Sequence, residues 1–150
     1  MSSLKLVSHS AAETKALASK IIRLLSGGDV VLLEGDLGAG KTTFTKGIGK
    51  ALGVEKTINS PTFTIMKCYK GKYPLYHLDL YRLNGVNQEF DLEEYIDSGI
   101  AVIEWPHQAD ELLPKEYLRI IITIEDDKRK FEFIPVGEKY EKLMEVARFE

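Results

Sequence analysis

The sequence predicts a three-layer α/β fold in which helices cover both faces of a mixed central sheet. Three observations predict it. The run Val30-Val31-Leu32-Leu33 is apolar without alternation, which suits a central strand buried on both faces. That strand passes directly into a Gly-rich turn and a helical pattern, forming a βα unit. Farther along, β-branched stretches around polar turns alternate with helical segments, so hairpins are mixed with βα units.

Taken in order, Leu4 to Ser8 reads as a short edge strand, and Ser10 with Glu13 has the spacing of a capping box. Thr14, Leu17, Ala18, Ile21, Ile22 and Leu25 recur at helical spacing, predicting a helix over most of 11–26, a pattern that Gly27-Gly28 ends. Asp29 to Glu34 is the central strand. Residues 41–52 are helical despite Gly47 and Gly49, and Gly53 is expected to terminate them in the left-handed region. Strands over 62–69 and 73–79 flank the turn Lys70-Gly71-Lys72. Residues 87–97 read as an acidic amphipathic helix and Ile100 to Glu104 as a buried strand. A second hairpin, 117–125 and 130–136, closes on Asp126-Asp127-Lys128, and a C-terminal helix follows. The sheet is therefore expected to be parallel near the Gly-rich turn and antiparallel elsewhere.

With 150 residues, 44% of them apolar, the chain can bury one working core, and a single domain over 1–150 is expected. A net charge of -3 and a pI near 5.7 exclude an overall positive field that would draw in nucleic acid or anionic lipid. Any polynucleotide would be reached mainly through another chain. Cys68 is the only cysteine, which excludes an intrachain disulfide or a CxxC metal pair and reads as a small hydrophobe on a strand. The first residues lack an apolar targeting core, and the apolar runs are too short to span a bilayer, so a soluble, cytoplasmic protein with no membrane partner is expected.

Gly35-Asp36-Leu37-Gly38-Ala39-Gly40-Lys41-Thr42 satisfies every fixed position of the Walker A pattern, between a strand and a helix, which makes the fold P-loop NTPase-like. The glycines let backbone N–H groups converge on a β-phosphate, and the following helix adds its dipole. Lys41 is expected to reach the β- and γ-phosphates, and the Thr42 hydroxyl to ligate Mg²⁺. A Gly-rich turn with an exposed lysine is the plain alternative. No Asn/Thr-Lys-x-Asp guanine reader occurs, so ATP is preferred over GTP.

Metal and attacking water call for carboxylates at strand C-termini. Asp79 and Glu104 end the runs 75–78 and 100–103, and each resembles a Walker B acid; the division of roles between them stays open. Should both strands lie beside the P-loop strand, one acid would hold the metal and the other the water. Ser60-Pro61-Thr62 stands where a γ-phosphate switch is often found, or is simply a turn entering a strand. His77 precedes Asp79 by one strand period, so it is expected to orient Asp79, contact phosphate, or pack structurally. Arg82 reads as an ordinary ion-pair residue or a transition-state cation, and Trp105 as packing or a lid.

Residues 35–44, Ser60-Pro61-Thr62-Phe63-Thr64, His77-Leu78-Asp79-Leu80-Tyr81-Arg82-Leu83 and Ile103-Glu104-Trp105 together resemble the TsaE (YjeE) family, bacterial ATPases of the tRNA threonylcarbamoyladenosine pathway. The resemblance spans Ser10 to about Leu113, with the blocks in the family's order. It implies an ATPase that is weak alone and binds a TsaB–TsaD pair, with hydrolysis resetting that pair between turnovers. TsaD would transfer threonylcarbamoyl to the adenosine beside the anticodon, so tRNA would be met only indirectly. It further implies that Asp36, Leu37, Gly38, Ala39, Gly40, Lys41, Thr42 and Thr43 bind nucleotide and that Thr42, Asp79 and Glu104 serve Mg²⁺. Lys41, Glu104 and Asp79 would be catalytic, Thr62 would belong to a switch-like loop, and Thr14 would lie near the base. Two other readings of the P-loop are a small-molecule kinase and a nucleotide-gated binding module. The four arginines after the loop are scattered, which disfavours a kinase lid.

Overall fold

The computed structural model describes residues 4–35, 41–55, 66–79, 99–104 and 116–147. Its strands are β1 (Leu4–Ser8), β2 (Val30–Gly35), β3 (Met66–Tyr69), β4 (Leu75–Asp79), β5 (Ile100–Glu104), β6 (Tyr117–Glu125) and β7 (Lys128–Val136). The helices are α1 (Ala11–Ile22), α2 (Lys41–Ala51) and α3 (Glu138–Ala147). All strands belong to one sheet in the order β1-β7-β6-β2-β5-β4-β3. β2 runs parallel to β5 and β6, and β4 parallel to β5, whereas β1, β7 and β3 join their neighbours antiparallel. The sheet is thus mixed as expected, with its parallel part around the strand that feeds the Gly-rich loop. Only β5 lies directly beside β2 on that side; β4, which carries Asp79, is one strand farther out.

The local signals account for most element ends. The Glu13 amide donates to Ser10 Oγ at 3.1 Å, while Glu13 Oε1 reaches back to the His9 amide at 2.9 Å, a capping box displaced by one residue. α1 covers most of 11–26 as expected, stopping at Ile22, three residues before the apolar periodicity ends at Leu25. The Leu24 and Leu25 amides turn to the Ile21 and Ile22 carbonyls, tightening the chain, and Leu25 stays buried without helical backbone. Gly53, at φ +81, terminates α2, and the Val54 amide donates to the Gly49 carbonyl in the expected 6→1 pattern. The β6–β7 turn is tighter than expected. Lys128 already belongs to β7, and Asp126 takes φ 55, a region Asp tolerates better than most residues.

Buried side chains of α1 and α2 meet Val31, Leu33, Val102, Leu118, Ile120, Phe131 and Phe133 of the sheet in one cluster, against which α3 sets Tyr140. Gly47 explains how closely the two helices approach. A Cβ there would stand 2.8 Å from Lys15 Cα and 2.9 Å from Ala18 Cβ, so the backbone contact requires glycine. Leu32, Leu78, Ala101 and Ile103 alternate to the other face of the sheet and are also fully buried. The helix expected over 87–97 lies outside the described residues, as do the loop 36–40, the segment 60–64 with Thr62, Arg82 and Trp105. Cys68 sits on β3 as expected, yet exposed, and the burial it does have raises its pKa, away from a reactive thiolate. Among the described residues no helix is long and apolar enough to cross a membrane.

Candidate functional site

β2 is the strand from which the site is built. Its residues 30–33 are buried on both faces, and its C-terminal end delivers the chain into the Gly-rich loop, after which Lys41 begins α2. The first amides of any helix lack intrahelical acceptors, so the start of α2 presents N–H donors and the positive end of its dipole. At the root of the loop, Glu34 is gripped by Arg119 of β6, whose Nη2 donates to both carboxylate oxygens at 2.8 and 3.0 Å. Such a two-point ion pair ties the end of β2 to its neighbour.

The register of the parallel strands places Glu104 opposite Leu33 on one side and opposite the backbone of Asp79 on the other. Glu104 is nearly buried, and Lys41 Nζ stands 3.8 Å from its Oε1. Its second oxygen, Oε2, meets His77 Nε2 at 2.8 Å, and the imidazole is completely buried. Glu104 is not among the partners that the sequence suggests for His77. His77 is bonded to Glu104 on the neighbouring strand, because in parallel pairing a residue two places before the facing position can reach diagonally across. A lysine, a carboxylate and an imidazole thus form one line at the C-terminal ends of β2, β5 and β4, where α/β sheets gather ligands.

A cleft of about 190 Å³ opens beside the start of α2. Ser8, Ser10 and Thr14 from the β1–α1 junction line it, together with Thr43 and, from the β6–β7 turn, Asp127 and Arg129. Pairing of Ser8 with Arg129 across β1 and β7 brings these distant segments together. Ser8 Oγ donates to the Ser10 carbonyl at 2.8 Å and lies 2.7 Å from Thr14 Oγ1. Ser8 has one hydroxyl proton and gives it to that carbonyl, so Thr14 must donate to Ser8. The Thr14 oxygen keeps only acceptor capacity.

The family model for the Threonylcarbamoyl adenosine biosynthesis protein TsaE matches residues 8–131. The chain belongs to the TsaE family. It is 48% identical over 136 residues to the tRNA threonylcarbamoyladenosine biosynthesis protein TsaE of Bacillus subtilis, covering 89% of this chain and 86% of the relative. Similarity to the protein of that name from Treponema pallidum is 40% over 124 residues, covering 81% of this chain and 92% of the relative. The crystal structure of Bacillus subtilis YdiB superposes with a TM-score of 0.82 at 43% identity, covering 98% of this chain and 95% of that one. The matched span of the TsaE family contains Ser8, Thr14, Lys41, His77, Glu104 and Arg129, so both the carboxylate line and the cleft fall within it.

Of the residues singled out in the sequence, the fold brings together Lys41 and Glu104, sets the Asp79 backbone beside Glu104, and places Thr14 and Thr43 on one cleft. Sequence reasoning missed Ser8, Asp127 and Arg129 as cleft residues. The two-residue step from β1 to α1 was a signal for Ser8, since so short a connection keeps a strand-end hydroxyl against the helix start. Nothing local pointed to Asp127 or Arg129, which arrive through the pairing of β7 with β1.

Proposed function

We propose that this chain binds ATP with Mg²⁺ and hydrolyses it as a component of the tRNA N6-threonylcarbamoyladenosine machinery, acting on a complex of TsaB and TsaD homologues. The observation that carries the reading is Glu104, a nearly buried carboxylate with one oxygen facing the Walker lysine at 3.8 Å. Membership of the TsaE family supports the pathway, and the absence of a positive overall charge supports contact with tRNA through partners.

In this reading the 36–40 backbone and the α2 N-terminus hold the phosphates, and Lys41 places its charge on the β- and γ-phosphate oxygens. Hard oxygen donors suit Mg²⁺, and Thr42, Glu104 and Asp79 supply them. When bound, Mg²⁺ would supply charge neutralisation between the β- and γ-phosphates. Glu104 orients or deprotonates the attacking water, Asp79 stands beside it, and Thr62 belongs to the γ-phosphate-sensing segment. Thr14 and its cleft receive the base. An acceptor-only oxygen there pairs with the 6-amino group of adenine and repels the 6-oxo group of guanine.

Phosphate release from ATP, measured on the chain alone and with a TsaB–TsaD pair, tests the proposal. Stimulation by the pair is expected. Phosphoryl transfer to a metabolite would instead identify a kinase, and tight ATP binding with no turnover in either mixture would leave a nucleotide-gated binding module. In the same mixtures Thr14→Val should narrow the preference for ATP over GTP; an unchanged ratio would move the base elsewhere.

A further inference from the structure

We infer that His77 is a positioning residue that divides the work of the two Glu104 oxygens, committing Oε2 to the imidazole and leaving Oε1, which faces Lys41, as the one working oxygen. The inference rests on the ATPase reading above and deepens it. A glutamate at a strand end has three rotatable bonds, and an unrestrained carboxylate would present either oxygen to Lys41 or to a bound phosphate. The 2.8 Å contact from His77 Nε2 removes that freedom. Burial strengthens it, because His77 is wholly enclosed and the Glu104 side chain is 8% exposed, so water competes little for the bond.

The chemistry of the pair fixes its polarity. An ionised carboxylate only accepts, so Nε2 must carry the proton. The ring therefore presents Nε2–H to Glu104. His77 Nδ1 is buried and has no hydrogen-bond partner among the described residues. An orphaned Nδ1 also argues against packing as the reason for histidine, since an apolar side chain would fill the space without it. What histidine offers here, and leucine does not, is the bond to Glu104. Outer partners of this kind hold a functional ligand in one orientation without touching substrate.

The test uses the full chain with Mg²⁺ and ATP in the mixture that gives the higher turnover, comparing His77→Leu, His77→Gln, Glu104→Gln and the double variant H77L/E104Q. Glutamine can place an amide N–H near the position of Nε2. His77→Leu should lower kcat about 10–100-fold while KM and nucleotide Kd stay within about two-fold. His77→Gln should recover most of the loss, and adding H77L to E104Q should cost nothing further. Independently of turnover, the ¹⁵N resonances of His77 should report a proton on Nε2, and the Nε2 signal should move in Glu104→Gln. Full kcat in His77→Leu, or an equal loss in both backgrounds, overturns the inference. So does a folded His77→Gln no better than His77→Leu. If the unmodified protein hydrolyses no ATP even with its partners, the proposed function fails, and the His77 resonances alone decide whether the contact exists.

Discussion

Two carboxylates are buried at opposite ends of the parallel strands, and they are held in opposite ways. Asp29, just before β2, is 1% exposed with both oxygens engaged. Its Oδ2 accepts from the Ser26 amide at 2.7 Å, while its Oδ1 accepts from Tyr140 Oη at 3.0 Å and pairs with Lys139. Tyr140 Oη in turn accepts from the Val30 amide at 2.9 Å, so α3 is bolted to the start of the central strand. Glu104, at the other end, is 6% exposed and has one oxygen bonded to His77, with the other facing Lys41 at a distance longer than a hydrogen bond. Burial alone does not separate a scaffold carboxylate from a working one. Saturation does: a carboxylate with both oxygens hydrogen-bonded is an anchor, and one whose second oxygen faces a lysine beyond hydrogen-bond distance has room for a ligand.

The sharpest way to break this comparison is Glu104→Gln. Hydrolysis should fall on the order of 100-fold or more, with nucleotide affinity and urea stability nearly unchanged. A fully active variant would shift the acid role to Asp79. The converse is Asp29→Ala, which strands the Ser26 amide and the Tyr140 hydroxyl and should cost about 3 kcal/mol in a urea melt. Turnover per folded molecule should persist; its loss at full folding would make Asp29 more than an anchor.

Tyr140→Phe gives the smallest change, about 1–2 kcal/mol, from the loss of one hydroxyl that both donates and accepts. Burial, and then the neighbouring Asp29 charge, raise the Tyr140 pKa well above the ordinary phenol value, against a lowering by the Val30 amide. In the unfolded chain this phenol ionises near pH ~10, whereas in the folded chain it stays neutral, so its contribution is intact below that pH and declines as pH rises above it. Comparing melts of the two proteins from pH ~8 to ~11 should show a gap that shrinks on the alkaline side. A gap independent of pH would mean that the hydroxyl is not held neutral by this network.

Much of the sheet was readable from the chain because its signals are short-range. The Val30–Leu33 run, the Ser10–Glu13 spacing, Gly53 and the acids ending residues 75–79 and 100–104 each speak through a few neighbouring residues. Reading failed where a residue obeyed a rule that a distant segment overrode. Apolar periodicity runs on to Leu25, whereas the backbone tightens after Ile22 and Asp29 captures the Ser26 amide, although Leu25 still joins the core. For His77 the sequence left orientation of Asp79, phosphate contact and packing open, and its bond crosses to Glu104 on β5. Gly47 looked like a weakness in a helix, and its reason is the Lys15 backbone on another helix.

By itself the amino-acid order determined the α/β class, the phosphate-loop motif and the choice of Lys41, Asp79 and Glu104 as chemical candidates, because helix period, strand burial and glycine tolerance are properties of consecutive residues. Only the tertiary structure decided that β5 and not β4 adjoins β2, that His77 holds Glu104, and that Ser8, Thr14 and Arg129 share one cleft. Those pairings depend on which strands lie side by side and in what register, and residues 27 to about 120 positions apart carry no local trace of that choice.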